Sequence, residues 1–118
     1  MPLLCMVLVG CCQNTIKEQA TSPDGKYTAI LFIRDCGATT AYSPQVQLVR
    51  GGTVTAVNGL GNVFIGDKDD RVKIVWNSTT NLTIYATPDC RISSHQETFS
   101  GITIKIVQSW EWLNKNAK

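Results

Sequence analysis

Alternating apolar and polar positions recur along this chain, with turn signals about every ten residues. Residues 26–34, KYTAILFIR, form the longest apolar stretch, and both of its alternating faces are apolar. This pattern predicts a central strand that is covered on both sides. Shorter strand signals lie at residues 45–50, 53–57, 62–65, 71–76, 82–86 and 102–106.

No ten-residue segment shows a convincing helical period, so we predict an all-β domain over residues 22–107. The expected fold is a small antiparallel β-sandwich or open barrel of about six to seven strands, with no major helix. Ser22-Pro23-Asp24-Gly25 is typical of a tight turn, and Asn58-Gly59 is typical of a hairpin. Residues 91–100, RISSHQETFS, are expected to form a polar loop that carries the single histidine.

Residues 1–10, MPLLCMVLVG, form an apolar run that ends at Cys11. The run is too short to span a bilayer, which takes about 20 residues, and it is typical of the end of a secretory signal peptide. Leu8-Val9-Gly10-Cys11 resembles the bacterial lipobox, where cleavage precedes the cysteine and its thiol receives a diacylglyceryl group. The run has no Lys or Arg, so either translation starts upstream or targeting is inefficient; a buried first strand is the alternative.

After the acylated Cys11, polar residues 13–21 lack any apolar period and predict a short tether between membrane and domain, so residues 11–21 form one unit. The expected location is the bacterial cell envelope, with the lipid bilayer as partner. Cys12 rather than aspartate follows Cys11, which favours the outer membrane, facing the periplasm, in a Gram-negative host.

Three segments together carry a family resemblance: SPDGKY, RDCGATT and GNVF, within residues 20–107. They resemble a family of short, uncharacterised bacterial lipoproteins, and RDCGATT is the most specific part of the pattern. The resemblance implies a secreted, membrane-anchored β domain. It supplies no catalytic residues.

The loop after the first long strand, residues 35–40, is rich in small residues and short side-chain oxygens. It is a candidate anion-binding nest or ligand rim, and the alternative is a plain connection pinned by a disulfide. The candidate binding residues are Asp35, Gly37, Thr39 and Thr40.

Five cysteines lie at positions 5, 11, 12, 36 and 90. Because export leads to an oxidising compartment, we predict a Cys36–Cys90 disulfide, which stabilises by about 4 kcal/mol in the chain-entropy model. A zinc site at Cys36, Cys90 and His95, with Asp35, is a weaker alternative because its spacing is poor. We therefore predict no metal and no cofactor.

The formal charge is only +2 and the sequence has no basic run, so we predict no nucleic-acid binding. No motif pairs a nucleophile with a base, so we predict that the protein is not an enzyme. The tail, residues 108–118, holds Trp110 and Trp112, which either pack on the sheet or contact a membrane or partner.

We therefore predict a membrane-anchored binding or interaction module of the envelope, with a protein partner there. The alternative is an accessory envelope protein without a ligand, which would lack a pocket with convergent polar groups. A small hydrolase, with His95 near a buried serine or aspartate, or a metal-binding protein ranks below both.

Overall fold

Two β-sheets packed face to face make up the described part of the protein in its computed structural model, which describes residues 12–36, 42–67 and 71–116. The all-β sandwich predicted from the sequence is confirmed, with two separate sheets rather than a barrel. The elements in chain order are β1 (Gln13–Thr21), β2 (Tyr27–Asp35), β3 (Ser43–Arg50), β4 (Phe64–Asp67), β5 (Val72–Ser78), β6 (Asn81–Ala86), β7 (Arg91–His95), β8 (Thr98–Phe99), β9 (Ile102–Gln108) and helix α1 (Glu111–Asn116).

The first sheet has the strand order β1-β2-β3-β4-β7, and the second has the order β5-β6-β9-β8. Neighbouring strands are antiparallel, except that β6 and β9 run parallel. Strand β2 lies between β1 and β3, and Thr28 to Ile33 are all buried. The prediction that this strand is central and covered on both sides is confirmed.

The main core lies between the two sheets because alternate side chains of each strand point inward. Ala29 and Leu31 of β2 face Ile84 of β6 and Ile104 of β9 in this way. The core also contains Val46, Leu48, Val63, Phe64, Ile74, Leu82, Ala86, Cys90 and Ile102.

A second, smaller core lies on the outer face of the first sheet, where Ile30 and Phe32 contact Val57. The segment that covers this face is residues 51–63, an irregular loop rather than the predicted strand at 53–57. The hairpin predicted at Asn58-Gly59 is also wrong, since no strand flanks it. Both predictions fail because these residues pack flat on a sheet instead of pairing with it.

Side-chain hydrogen bonds hold this covering loop to the sheet. Gln19 Nε2 donates to the Val54 carbonyl at 2.8 Å, and Gln19 Oε1 accepts from the Val54 amide at 2.7 Å. Asn62 bonds Leu48 in the same reciprocal way, at 2.8 and 3.0 Å. Gln19 thus satisfies backbone groups of the irregular loop, and Asn62 satisfies backbone groups of β3 at a position where no strand pairs with them.

The tether predicted for residues 11–21 is wrong over its described part, because Gln13–Thr21 is strand β1, paired with β2 along its whole length. A polar edge strand has no apolar period, since its outward side chains meet water and the covering loop. The polar loop predicted at residues 91–100 is likewise replaced by β7 and β8. These three strands raise the count in the described residues to nine.

The turn predicted at residues 22–25 is confirmed between β1 and β2. Gly25 takes a φ of 75°, and its amide donates to the Ser22 carbonyl at 2.8 Å. Ser22 Oγ donates to Asp24 Oδ1 at 2.6 Å, and the Lys26 amide donates to the same oxygen at 3.2 Å. The Ser22 hydroxyl first, and the Lys26 amide second, lower the pKa of the Asp24 carboxyl below its usual 3.8.

The predicted Cys36–Cys90 disulfide is wrong: the bridge joins Cys12 to Cys36, with a Cα–Cα distance of 4.0 Å. The two cysteines flank the pair Gln13↔Asp35, so they lie opposite each other where β1 begins and β2 ends. Cys90 keeps its thiol and is buried in the main core. The pairing of β1 with β2 makes Cys12 the disulfide partner of Cys36. The sequence did not predict this pairing because β1 is polar.

Candidate functional site

The outer face of the second sheet carries side chains that are partly exposed, in contrast to the outer face of the first sheet, where a loop covers a second core. Val75 of β5, Tyr85 of β6 and Val107 of β9 point outward there and are only partly buried. Their neighbours along each strand, such as Ile74 and Ile84, point into the core. Partly exposed apolar side chains side by side on a sheet are typical of a contact surface.

Two adjoining depressions of about 310 and 250 Å³ share Tyr85 and Val107 on this face, and we call them together the outer groove. The lining combines amide, hydroxyl and ammonium groups with apolar side chains. The lining residues are Lys73, Val75, Asn77, Asn81, Leu82, Thr83, Tyr85, Thr103, Lys105, Val107, Ser109, Glu111 and Trp112.

Helix α1 closes one end of the outer groove. Trp112 is 9% exposed, and its indole N–H donates to the Ala86 carbonyl at 3.0 Å. Its ring lies 6.1 Å from that of Tyr85, centroid to centroid, with a 40° tilt. This contact fits the predicted packing of the tail on the sheet, whereas Trp110 is 44% exposed.

Polar groups border the floor of the groove. Thr83 is buried there and its hydroxyl donates to Asn77 Oδ1, which orients that amide side chain. Lys73 lies at the β5 side of the groove. Burial raises the pKa of Glu18 on β1, and the positive charge of Lys73 offsets part of that rise. Amides, hydroxyls and ammonium groups beside an aromatic floor are suited to binding and orienting a polar ligand or a protein surface.

Among the described residues, the outer groove lining contains no His, Cys or Asp side chain, and Glu111 is the one carboxylate. His95 lies elsewhere, on β7, beside an open depression of about 440 Å³ lined also by Glu97, Thr103, Ile104, Lys105 and Ile106. Within the part of the chain that the structure describes, that lining holds neither the serine nor the aspartate that the hydrolase alternative requires.

Gly37, Thr39 and Thr40 of the predicted binding loop lie outside the described residues. Asp35 is described: it is the last residue of β2 and is half-buried. Beside it, Arg34 Nη1 donates to Asn14 Oδ1 at 3.0 Å and to the Gly59 carbonyl at 2.9 Å. The predicted lipidation site, Cys11, and the signal segment 1–10 also lie outside the described residues.

The alternative zinc site is not assembled, because Cys36 is joined to Cys12 and has no thiolate to offer. Within residues 12–36, 42–67 and 71–116, no three His, Cys, Asp or Glu side chains are grouped to hold a metal ion. In that same part of the chain, no helix has the length and apolar composition needed to cross a bilayer.

The sequence prediction missed the outer groove, although the alternation that forms it was visible. Outward positions of β5 and β9 include Val75 and Val107, which break the apolar-in, polar-out rule of a solvated sheet face. The adjacency of β6 and β9, which brings Tyr85 beside Val107, is a parallel pairing that local patterns do not encode. The apolar residues at outward positions of β5 and β9 were the signal from which this surface could have been predicted.

Comparison with protein-family models, with curated proteins and with solved structures finds no match to this chain. The resemblance to uncharacterised bacterial lipoproteins therefore stays a prediction from the sequence.

Proposed function

We propose that this protein is a lipid-anchored component of the bacterial cell envelope whose β-sandwich is a binding module, with the outer groove as its binding surface. The observation that carries the proposal is the contrast between the two outer faces. A loop with its own small core covers one face, and the other leaves Val75, Tyr85 and Val107 partly exposed beside polar groups. Acylated Cys11 holds the module on the membrane.

The Cys12–Cys36 disulfide supports export, since such bonds persist in oxidising compartments and are rare in a reducing cytosol. The lipobox-like sequence ends one residue before this disulfide. Two or three acyl chains on Cys11 anchor stably, because each buried methylene contributes about 0.8 kcal/mol. In this proposal, Cys5 leaves with the signal peptide.

The partly apolar floor and polar border of the outer groove support binding of a protein partner in the envelope. Interfaces of this kind combine aromatic side chains with hydrogen-bonding groups at their edges. Tyr85 and Trp112 supply the aromatic part, while Asn77, Lys73 and Lys105 supply polar contacts.

The anchor is tested by the intact mass of the protein from its host, combined with alkylation of thiols under denaturing conditions. We expect the mass of residues 11–118 plus acyl chains. One thiol, Cys90, should react before reduction, and three, Cys12, Cys36 and Cys90, should react after it. An unprocessed, unacylated mass would contradict the anchoring, whatever the groove binds.

The binding role is tested with the photo-crosslinking amino acid p-benzoylphenylalanine, placed at Val107 in the groove or at Lys26 in the exposed turn after β1. Irradiation of intact cells should give a discrete protein adduct from position 107 and none from position 26. Tyr85→Ala in the position-107 variant should weaken that adduct. Absence of an adduct, or equal adducts from both positions, argues against binding at the groove.

A further inference from the structure

We infer that the end of the sandwich that contains Cys12 lies directly against the bilayer surface, with Tyr42, Leu60 and Trp110 in contact with lipid. This inference rests on the proposed acylation of Cys11. It replaces the tethered domain predicted from the sequence with a domain held in a defined orientation on the membrane.

The structure leaves no length of chain for a tether. Strand β1 begins at Gln13, and Cys12 is fixed to the end of β2 by its disulfide with Cys36. Cys11 is one peptide unit away, about 3.8 Å between Cα atoms. Acyl chains on Cys11 therefore bring this end of the sandwich to the membrane surface.

Trp110 lies at the same end, although it belongs to the tail. Ser43, opposite Arg34 in the register of β2 and β3, donates its hydroxyl to the Gly66 carbonyl at 2.6 Å. The Cα of Gly66 lies close to the Cys90 sulfur, and the Cys90 carbonyl accepts a hydrogen bond from Gln108 Nε2 at 2.8 Å. Gln108 ends β9, two residues before Trp110, so the chain leaves β9 at the Cys12 end.

The large apolar side chains exposed in the described residues converge on this end. Tyr42 directly precedes β3 and is 57% exposed, and Trp110 is 44% exposed. Leu60, 56% exposed, follows Gly59, whose carbonyl is bonded by Asn14 next to the start of β1. Exposed aromatic and aliphatic side chains at one end suit the interfacial region of a bilayer, where an apolar body and a polar tip are both accommodated.

Charge decides what kind of lipid surface this end fits. Arg34, Arg71 and Arg91 lie here, and the Arg71 guanidinium stacks over the Trp110 ring at 5.4 Å from its centroid. Carboxylates accompany them, and those among the described residues are Asp35, Asp67, Asp89 and Glu111. Since these described residues give three positive charges against four negative ones, we assign the contact to apolar insertion rather than to attraction by anionic headgroups.

Trp76 provides a matched control at the opposite end. Its indole N–H donates to the Ala20 carbonyl at 2.7 Å, near the 22–25 turn. A nine-residue strand such as β1 separates the two ends by about 30 Å.

The experiment reconstitutes the acylated full-length protein from its host in phosphatidylcholine vesicles, with or without bromine atoms on the acyl chains near the glycerol. Brominated lipid should quench part of the tryptophan fluorescence. Trp110→Phe should lose the quenched component, and Trp76→Phe should retain it. Tyr42→Ser with Leu60→Ser should also lose it, with an unchanged circular dichroism spectrum. Vesicles with phosphatidylglycerol should give the same result.

Equal quenching in the Trp110→Phe protein, no quenching in wild type, or quenching only in anionic vesicles would each overturn the inference. Intact mass of the reconstituted protein separates its failure from that of the proposed anchoring. An acylated mass without quenching of Trp110 rejects only the contact. An unacylated mass that retains residues 1–10 rejects both.

Discussion

Replacing both Cys12 and Cys36 with serine should destabilise the protein through its β1–β2 hairpin. The two strands pair from Gln13↔Asp35 to Thr21↔Thr28, and the turn at residues 22–25 closes one end of the hairpin. The disulfide closes the other end. Without it, the edge strand β1 keeps its backbone bonds to β2, its side-chain bonds to the covering loop and the bond from Trp76 to Ala20, but it loses its covalent closure.

The size of the effect follows from the loop that the disulfide closes. Its sequence separation is 24, which gives a ring of about 25 residues and a denatured-state entropy worth about 3.5 kcal/mol in the chain-entropy model. That is a large part of the 5–15 kcal/mol that is usual for a domain. With a urea m-value of about 1.5 kcal/mol/M, the midpoint of unfolding should fall by about 2 M.

The assay is reversible urea unfolding followed by tryptophan fluorescence, with and without a thiol reductant. Reduction should shift the wild-type curve by the same amount as the double substitution, and it should leave the double variant unchanged. Cys90→Ala is the control: it removes a core side chain at a cost of about 1 kcal/mol but should keep the response to reduction.

Three results would refute this reasoning. A wild-type curve that ignores reductant would mean that the disulfide contributes nothing to stability. A Cys90→Ala protein that ignores reductant would mean that Cys90 forms the bridge, as the sequence had suggested. A double variant as stable as wild type would mean that the pairing of β1 with β2 needs no covalent closure.

Three further predictions concern the covering loop and the first turn. Phe32→Ala should cost about 3–5 kcal/mol in urea unfolding, because the fully buried ring supports the core beneath the loop; a cost under about 1 kcal/mol would contradict this. Asn62→Ala should cost about 1–3 kcal/mol, since it leaves the Leu48 amide and carbonyl unbonded, and a stability equal to wild type would argue that water replaces both bonds. Asp24→Asn should lower the thermal midpoint at pH 7 but not at strongly acidic pH: the lowered pKa of Asp24 makes its ionised form stabilising above 3.8, and that stabilisation disappears as pH falls through the folded-state pKa. A difference independent of pH would exclude the carboxylate of Asp24, bonded by Ser22, as its source.

Strands with an inward apolar face were predictable because burial selects every second side chain. Residues 26–34 predicted a central strand, and β2 at Tyr27–Asp35 is covered on both faces. The alternation at residues 71–76 and 82–86 likewise predicted the hairpin of β5 and β6. In each case the signal is local, since period-two burial needs no knowledge of which strand lies alongside.

Polar strands were not predictable in the same way. Gln13–Thr21 and Arg91–His95 lie at the two edges of the first sheet, where exposed side chains replace the apolar pattern. Strand β7 takes its backbone bonds from β4, which is distant in the chain, whereas β1 takes them from the next strand, β2. In both cases the residue types at a sheet edge carry little trace of the pairing. Because β1 was not predicted, Cys12 was placed in a tether and the disulfide was assigned to the wrong pair of cysteines.

By itself, the sequence determined the all-β class, the positions of the strands with one apolar face, the turn at residues 22–25 and the hydrophobic character of the first ten residues. Each of these depends on neighbouring residues alone. Only the tertiary structure decided which cysteine pairs with Cys36, which outer face residues 51–63 cover, and which face is left to form the outer groove. The disulfide depends on the pairing of β1 with β2, which the polar residues of β1 do not indicate. The covering loop and the outer groove depend on contacts between residues far apart in the chain, which local propensity does not select.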